Sequence, residues 1–324
     1  MSDVLDELIH RADLDQLVRH VDSTCSARDW EHLVTVRDRA RSAVSTGRQL
    51  WPIATLANYR LALWAPAHLA VRALDDTART FMPGPVSEIL AVHHSWHDLE
   101  SHLPHGHDRS LVAYERALRG DAIDDHEPRA LDIPFAPAPW EPPYALATYT
   151  DDGVDFPAPT FSRPTGALVS TPSEPMDDPE TLQAFRRLVE PWTAQSNGTA
   201  TAAVVEGSVA NALGALGIDS ARTVTLTPAD GVALLAWAAA SGGAHGKRRG
   251  AATGRAEAWW FLAVFTGLAD GWPGDGNELG EVVSALEFTA WENDEAPTGG
   301  WGLHLVIGDP DEGLSIALSA SDRV

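Results

Sequence analysis

Cysteine and lysine are almost absent from this chain, and each scarcity narrows what it can be. A single cysteine, Cys25, permits no intrachain disulfide, which fits a reducing compartment and predicts that the sequon Asn197-Gly198-Thr199 stays idle. One lysine, Lys247, stands in a chain of 46 acidic and 23 basic side chains with a formal net charge of −23. A surface of that sign repels nucleic acid and anionic lipid as a whole, so any such binding has to be local. No apolar run reaches the ~18 residues of a spanning helix; the longest, 232–240, has the length of a short buried helix. The start, Met1-Ser2-Asp3, runs into an acidic amphipathic pattern without the basic start and apolar stretch of a secretory signal. These absences predict a cytoplasmic protein without membrane contact.

Complete catalytic and cofactor motifs are missing as well. There is no GxSxG elbow, the acids around Asp275, Asn277 and Glu278 lack the EF-hand order, and Gly274, Gly276 and Gly280 do not follow a strand as a dinucleotide loop requires. No cofactor is therefore expected, and whether the chain is an enzyme stays open.

What is present is ample core material: 44% hydrophobic residues and a mean hydropathy of −0.15. Its 324 residues suit about two domains. The pattern predicts an α+β protein in three segments. Over 1–127, apolar residues recur at three and four, giving an all-α helical bundle or an irregular stack of helix pairs. Stripes fall at Val4–Ile9 and Leu14–Val21, then in helices over 26–46, 51–64 and 66–79. One stripe holds Val86, Ile89, Val92, Trp96, Leu99 and Leu103, and a last helix spans 110–118. Segment 128–180 holds 12 of the 22 prolines and reads as an ordered linker, its Trp140, Tyr144 and Tyr149 packing on the protein itself or serving as a docking strip. Segment 181–324 alternates: a helix over 182–189, a strand at 199–205, a helix over 209–216, a strand at 223–227, a helix from Thr227-Pro228 to Ala240, and helices over 256–268 and 279–286. Three closing strands, 287–291, 301–307 and 314–319, form an antiparallel meander with turns at 297–300 and 309–313.

Two clusters carry candidate chemistry. No acid occurs between Asp230 and Glu257, and in that interval SGGAHGKRRGAATGR gathers Gly243, His245, Gly246, Lys247, Arg248, Arg249 and Arg255. Glycine-turned amides, the start of a helix and formal positive charge all favour an anion. The Walker pattern fails, since Ser241 and Arg248 stand where glycine and a hydroxyl are needed. The same cluster reads more readily as a solvated turn whose arginines pair with the protein's own carboxylates, since the 46 acids outnumber the 23 bases two to one. Trp259 and Trp260 follow, placed either to stack on a base beside the positive loop or, for one of them, to serve as core, the reading favoured because Trp260, Val264 and Leu268 fall on one helical stripe.

The second cluster holds six of the 13 histidines between positions 93 and 107. On one helix His93, His97 and Glu100 share a side and are spaced for a zinc ion; the alternatives are a pH-sensitive surface or a polar helix face. His94 occupies the place where a metalloprotease carries its glutamate. Cys25, near Arg19 and Arg28, reads either as a thiol of lowered pKa or as small packing. Two functional expectations follow. One is a non-enzymatic protein-interaction or scaffold protein binding a partner protein or a second copy. The other is an enzyme or binding protein for a phosphate-bearing or other anionic ligand at 242–255, with Lys247 and Arg249 stabilising charge and His245 as acid or base.

Overall fold

The computed structural model describes residues 2–75, 82–274, 276–293 and 300–323, and the chain is α+β. Two compact units divide it, Met1–Pro128 with Thr148–Asp155 and Arg129–Ala147 with Phe156–Val324. The expected proline-rich segment is thus shared between them. The turn at 297–299, Asp275 and positions 76–79 lie outside the described residues.

The first unit is helical: α1 (Ser2–Arg11), α2 (Leu14–Ser26), α3 (Trp30–Ser45), α4 (Trp51–Trp64), α5 (Ala67–Ala70) running on into a 3₁₀ turn, α6 (Val86–His93), α7 (Trp96–Leu99) and α8 (His107–Leu118). An antiparallel ribbon, β1 (Thr148–Thr150) with β2 (Gly153–Asp155), completes it. Helix α4 is apolar on nearly every side and buried from Ile53 to Leu63 save for two partly exposed positions, so it forms the centre, against α2, α3 and α6. The ribbon is held to this centre by Tyr59, whose hydroxyl donates to the Thr150 carbonyl at 2.6 Å, and by Tyr149, whose hydroxyl donates to the buried Glu88.

Several helix boundaries differ from expectation: α8 starts earlier, as does the helix expected over 256–268, which begins at Ala251, and the 66–79 helix is replaced up to Asp75 by α5 and its 3₁₀ turn. Two of the differences have their cause in the caps. Helix α2 runs on to Ser26, and its end is closed by Arg28 N–H to the Cys25 carbonyl at 2.9 Å and Asp29 N–H to the Thr24 carbonyl at 3.1 Å. That six-to-one closure needs a left-handed residue, and Arg28 takes it at φ 55° where glycine is usual. Asp29 then caps α3 at His32. The single stripe expected from Val86 to Leu103 is cut in two: α6 ends at His93, and Ser95 and Asp98 form a capping box that starts α7 in a new direction.

The second unit is built on a six-stranded antiparallel sheet in the order β3 (Gly166–Val169), β5 (Ser220–Leu226), β6 (Glu287–Glu292), β7 (Trp301–Asp309), β8 (Leu314–Asp322), β4 (Thr199–Glu206). The last three strands in sequence, β6 to β8, are the expected meander. Helices α9 (Pro179–Leu188), α10 (Glu190–Ala194), α11 (Val209–Ala215), α12 (Pro228–Ala240), α13 (Ala251–Phe265) and α14 (Gly276–Ala285) surround it. One face, with Val205, Trp291, Val306 and Ala317, packs on α11. The other carries Phe288 and Trp301 against α12, where Trp237 stacks on Trp301 at 5.2 Å. Because both faces are covered, Leu303, Leu305, Val306 and Ile307 on β7 are all fully buried.

Candidate functional site

Helix α4 turns one charged side chain toward a cleft. Arg60 is 8% exposed, and it lines a cleft of about 800 Å³ together with Asp22, Cys25, Arg28, Trp30, Trp64, His94 and Asp151. All of these belong to the helical unit. Asp151 comes from the tip of the β1–β2 ribbon; it pairs with Arg60 Nη1 and accepts from Trp64 Nε1 at 2.9 Å. Asp22 on α2 stands 3.9 Å from Arg60 Nη2. The deep end of the cleft is therefore a guanidinium, while its carboxylates lie outward, with side chains 55% exposed at Asp22 and 62% at Asp151.

Arg28 adds a second cation to the lining, while Cys25 and His94 are neutral at pH 7. Burial pushes the Cys25 thiol up to about 11, although Arg60 acts in the opposite sense, so the lowered thiol pKa considered from its neighbouring arginines is reversed by desolvation. Burial likewise pulls His94 below the ordinary imidazole value, and its Nε2 is buried with no hydrogen-bond partner. Trp30 and Trp64 supply flat apolar wall, Trp64 stacking on His93 at 4.5 Å.

The histidine cluster is not brought together. The break at His94-Ser95 places His93 on α6 beside Trp64, while His97 on α7 is exposed with Nδ1 3.5 Å from Glu100. His93, His97 and Glu100 thus share no helix side, and among the described residues no three His, Cys, Asp or Glu groups could hold a metal ion.

Nor do the basic side chains of 242–255 converge. Residues 251–255 are the first turn of α13, and Arg255 is buried in an ion pair with Glu141 at 2.6 Å, also donating to the carbonyls of Pro134, Phe135 and Ala136. Arg249 donates to Arg187 and Leu188 at the end of α9 and to Ala239 in the last turn of α12, supplying donors that helix ends lack. Arg248 lies over the Phe156 ring at 3.9 Å. Only the side chains of His245 and Lys247 are exposed among these basic residues. The glycine turn does enclose a carboxylate, one from the chain itself: Ala244 N–H donates to Asp322 Oδ2 at 2.6 Å and Ser196 to Oδ1 at 3.0 Å. Gly243, at φ 65°, leaves room for that oxygen, which a side chain there would strike at 2.2 Å. Gly246 is likewise closed in, against the Pro191 carbonyl. The core indole of α13 is Trp259, not Trp260; it is 2% exposed and donates to Glu141, whereas Trp260 is partly exposed beside Trp272 and Arg187.

Composition and spacing missed the cleft because its residues come from α2, the turn into α3, α4, the α6–α7 break and the ribbon. One signal was visible: Asn58 and Arg60 interrupt an otherwise apolar helix, and a buried charge needs a reason. No helix among the described residues is long and apolar enough to cross a membrane. No curated protein and no solved structure matches the chain. A family model does match it, over residues 15–323, and the chain belongs to that family, a family of unknown function (DUF6183).

Proposed function

We propose that this is a binding protein and that the cleft of its helical unit takes up a small ligand. The observation that carries this reading is His94: a buried imidazole nitrogen without a partner, on a side chain that lines the cleft. Buried polar atoms in folded proteins are paired almost throughout, so this nitrogen is left a partner short at the wall of the cleft. The volume, about 800 Å³, falls in the range of roughly 300–1,000 Å³ typical of small-molecule sites. Two indoles offer wall area, and Arg60 with two carboxylates fixes orientation. Binding is favoured over covalent catalysis because the one thiol in the cleft is held protonated at neutral pH. The basic loop at 242–255 supports an anion-binding role less well, since Arg249 and Arg255 are engaged within the protein.

Cys25 supplies the test. As the only thiol of the chain and a lining residue, its rate of reaction with a thiol-exchange dye reports occupancy of the cleft. Fragments that bind by ligand-observed NMR should slow that reaction, and Trp30→Ala should remove both effects. Fragments that bind without protecting Cys25, in wild type and variant alike, would place binding elsewhere and end this reading.

A further inference from the structure

The seat on Arg60 is already occupied by a carboxylate, and that occupant tells what the seat accepts. Asp151 is held by Arg60 Nη1 and by Trp64 Nε1 at 2.9 Å. Both donors meet the same oxygen, Asp151 Oδ1, and a planar guanidinium beside an indole N–H is a donor set suited to a carboxylate. Asp151 is also poorly anchored otherwise: it sits between β1 and β2 in a two-residue turn, with a side chain 62% exposed. Arg60 is the reverse, fixed in the central helix with 10% of its side chain exposed. Of the pair, the carboxylate is the member that can leave.

Building on the binding role proposed for this cleft, we propose that its ligand is a carboxylic acid bearing a flat ring, whose carboxylate takes the place of Asp151 on Arg60. His94, whose Nε2 is buried without a hydrogen-bond partner, is a further lining residue of the same cleft. Trp30 and Trp64 provide the surface on which a ring stacks. A dianion such as a phosphate monoester fits less well, because Asp22 and Asp151 remain nearby and the chain is strongly acidic. The ribbon tip then acts as a built-in competitor: its acid keeps the guanidinium paired when no ligand is bound and lowers the ligand's affinity accordingly.

Three matched probe sets test this on the full chain: benzoate, 2-naphthoate and indole-3-acetate; their primary amides; and the amines of the same rings. Titration calorimetry measures affinity, and thermal unfolding verifies that each variant folds. The acids should bind, the amides and amines much more weakly. Asp151→Ala should tighten acid binding about tenfold, and Arg60→Lys, which keeps charge but loses the fork, should weaken it about tenfold. Arg60→Gln should abolish it; if that variant does not fold, Asp151→Ala and Arg60→Lys decide. Should amines or amides bind as well as acids and still protect Cys25, the cleft is a binding site and the carboxylate assignment is wrong. Unchanged acid affinity in Asp151→Ala removes the competition. If no probe of any set binds, both the assignment and the binding role fall.

Discussion

Glu141 and Arg255 stand 114 positions apart and meet as an ion pair whose side chains are both closed to solvent. Every arm of that guanidinium is engaged, by Glu141 and by three successive backbone carbonyls from Pro134 to Ala136, and Glu141 also accepts from Trp259 and Tyr144. The pair ties the proline-rich run 129–147 to α13. Trp140 adds a second tie, its Nε1 donating to the Gly276 carbonyl at 2.9 Å and its ring lying over Gly280, where any side chain would collide with it. Removing one partner leaves the other charge buried. Arg255→Ala or Glu141→Ala is therefore expected to cost about 3–5 kcal/mol, and Arg255→Met with Glu141→Leu distinctly less than the sum of the single changes. Urea unfolding of the four proteins measures the difference.

Cys25 should be a slow thiol. With its pKa raised from 9.0 to about 11, the thiolate fraction at pH 7.5 is roughly a hundredfold below that of an unperturbed cysteine. Its reaction with a thiol-exchange dye should keep accelerating with pH beyond 9, where an exposed control thiol levels off. A plateau near 9 would mean that the thiol is not desolvated. The linked stability is full below 9 and is lost as pH rises towards 11.

Acid should weaken the fold before ordinary carboxylates titrate. Burial lowers the imidazoles of His20, His94 and His304 below 6.5, and His20 is lowered further by His32, whose Nε2 lies 2.8 Å from its own. In the unfolded chain these groups take up protons near 6.5, while in the folded chain they do so only at lower pH. Their stabilising contribution is thus complete above 6.5 and declines as pH falls through the lowered values. Thermal unfolding between pH 7.5 and 5 should show a falling midpoint, and His20→Asn should flatten that slope.

Arg28 carries a conformational cost at the mouth of the cleft. A non-glycine residue at φ 55° is less stable there by roughly 1 kcal/mol, so Arg28→Gly should raise unfolding stability by several tenths of a kcal/mol to about 1. The same change removes a cation that lines the cleft, and an altered probe affinity together with higher stability would mark Arg28 as a residue kept for binding. A loss of stability would show that its side chain matters more to the fold than its backbone costs.

The α+β architecture was legible because its signals are local. Thr227-Pro228 announces α12, whose cap Thr227 indeed accepts from Asp230 N–H at 3.1 Å, and the apolar runs of β6, β7 and β8 identify a meander. The α6–α7 break was equally local, written in Ser95-x-x-Asp98, but it was hidden by apolar residues that continue the helical spacing across it. Charge was the misleading signal. The interval between Asp230 and Glu257 has no acid in sequence, yet in space Arg255 has Glu141, Arg249 has Glu257 at 3.8 Å and the turn amides have Asp322. Counting charges along a chain cannot find partners that the sheet and the proline-rich run bring from more than 60 positions away.

The β1–β2 ribbon also sets an order of events for a chain leaving the ribosome. Helices α1 to α8 are complete by Leu118, yet Asp151, the carbonyl of Thr150 that holds Tyr59, and the Tyr149 hydroxyl that reaches Glu88 are all made later, after the first residues of the other unit have emerged. Until translation has passed Asp155, Arg60 has no Asp151 to pair with and Glu88 lacks its tyrosine. The helical unit is finished by a piece of chain synthesised after its own last helix, so pauses in translation between Leu118 and Asp155 would prolong the time during which its central helix carries a buried guanidinium without that partner.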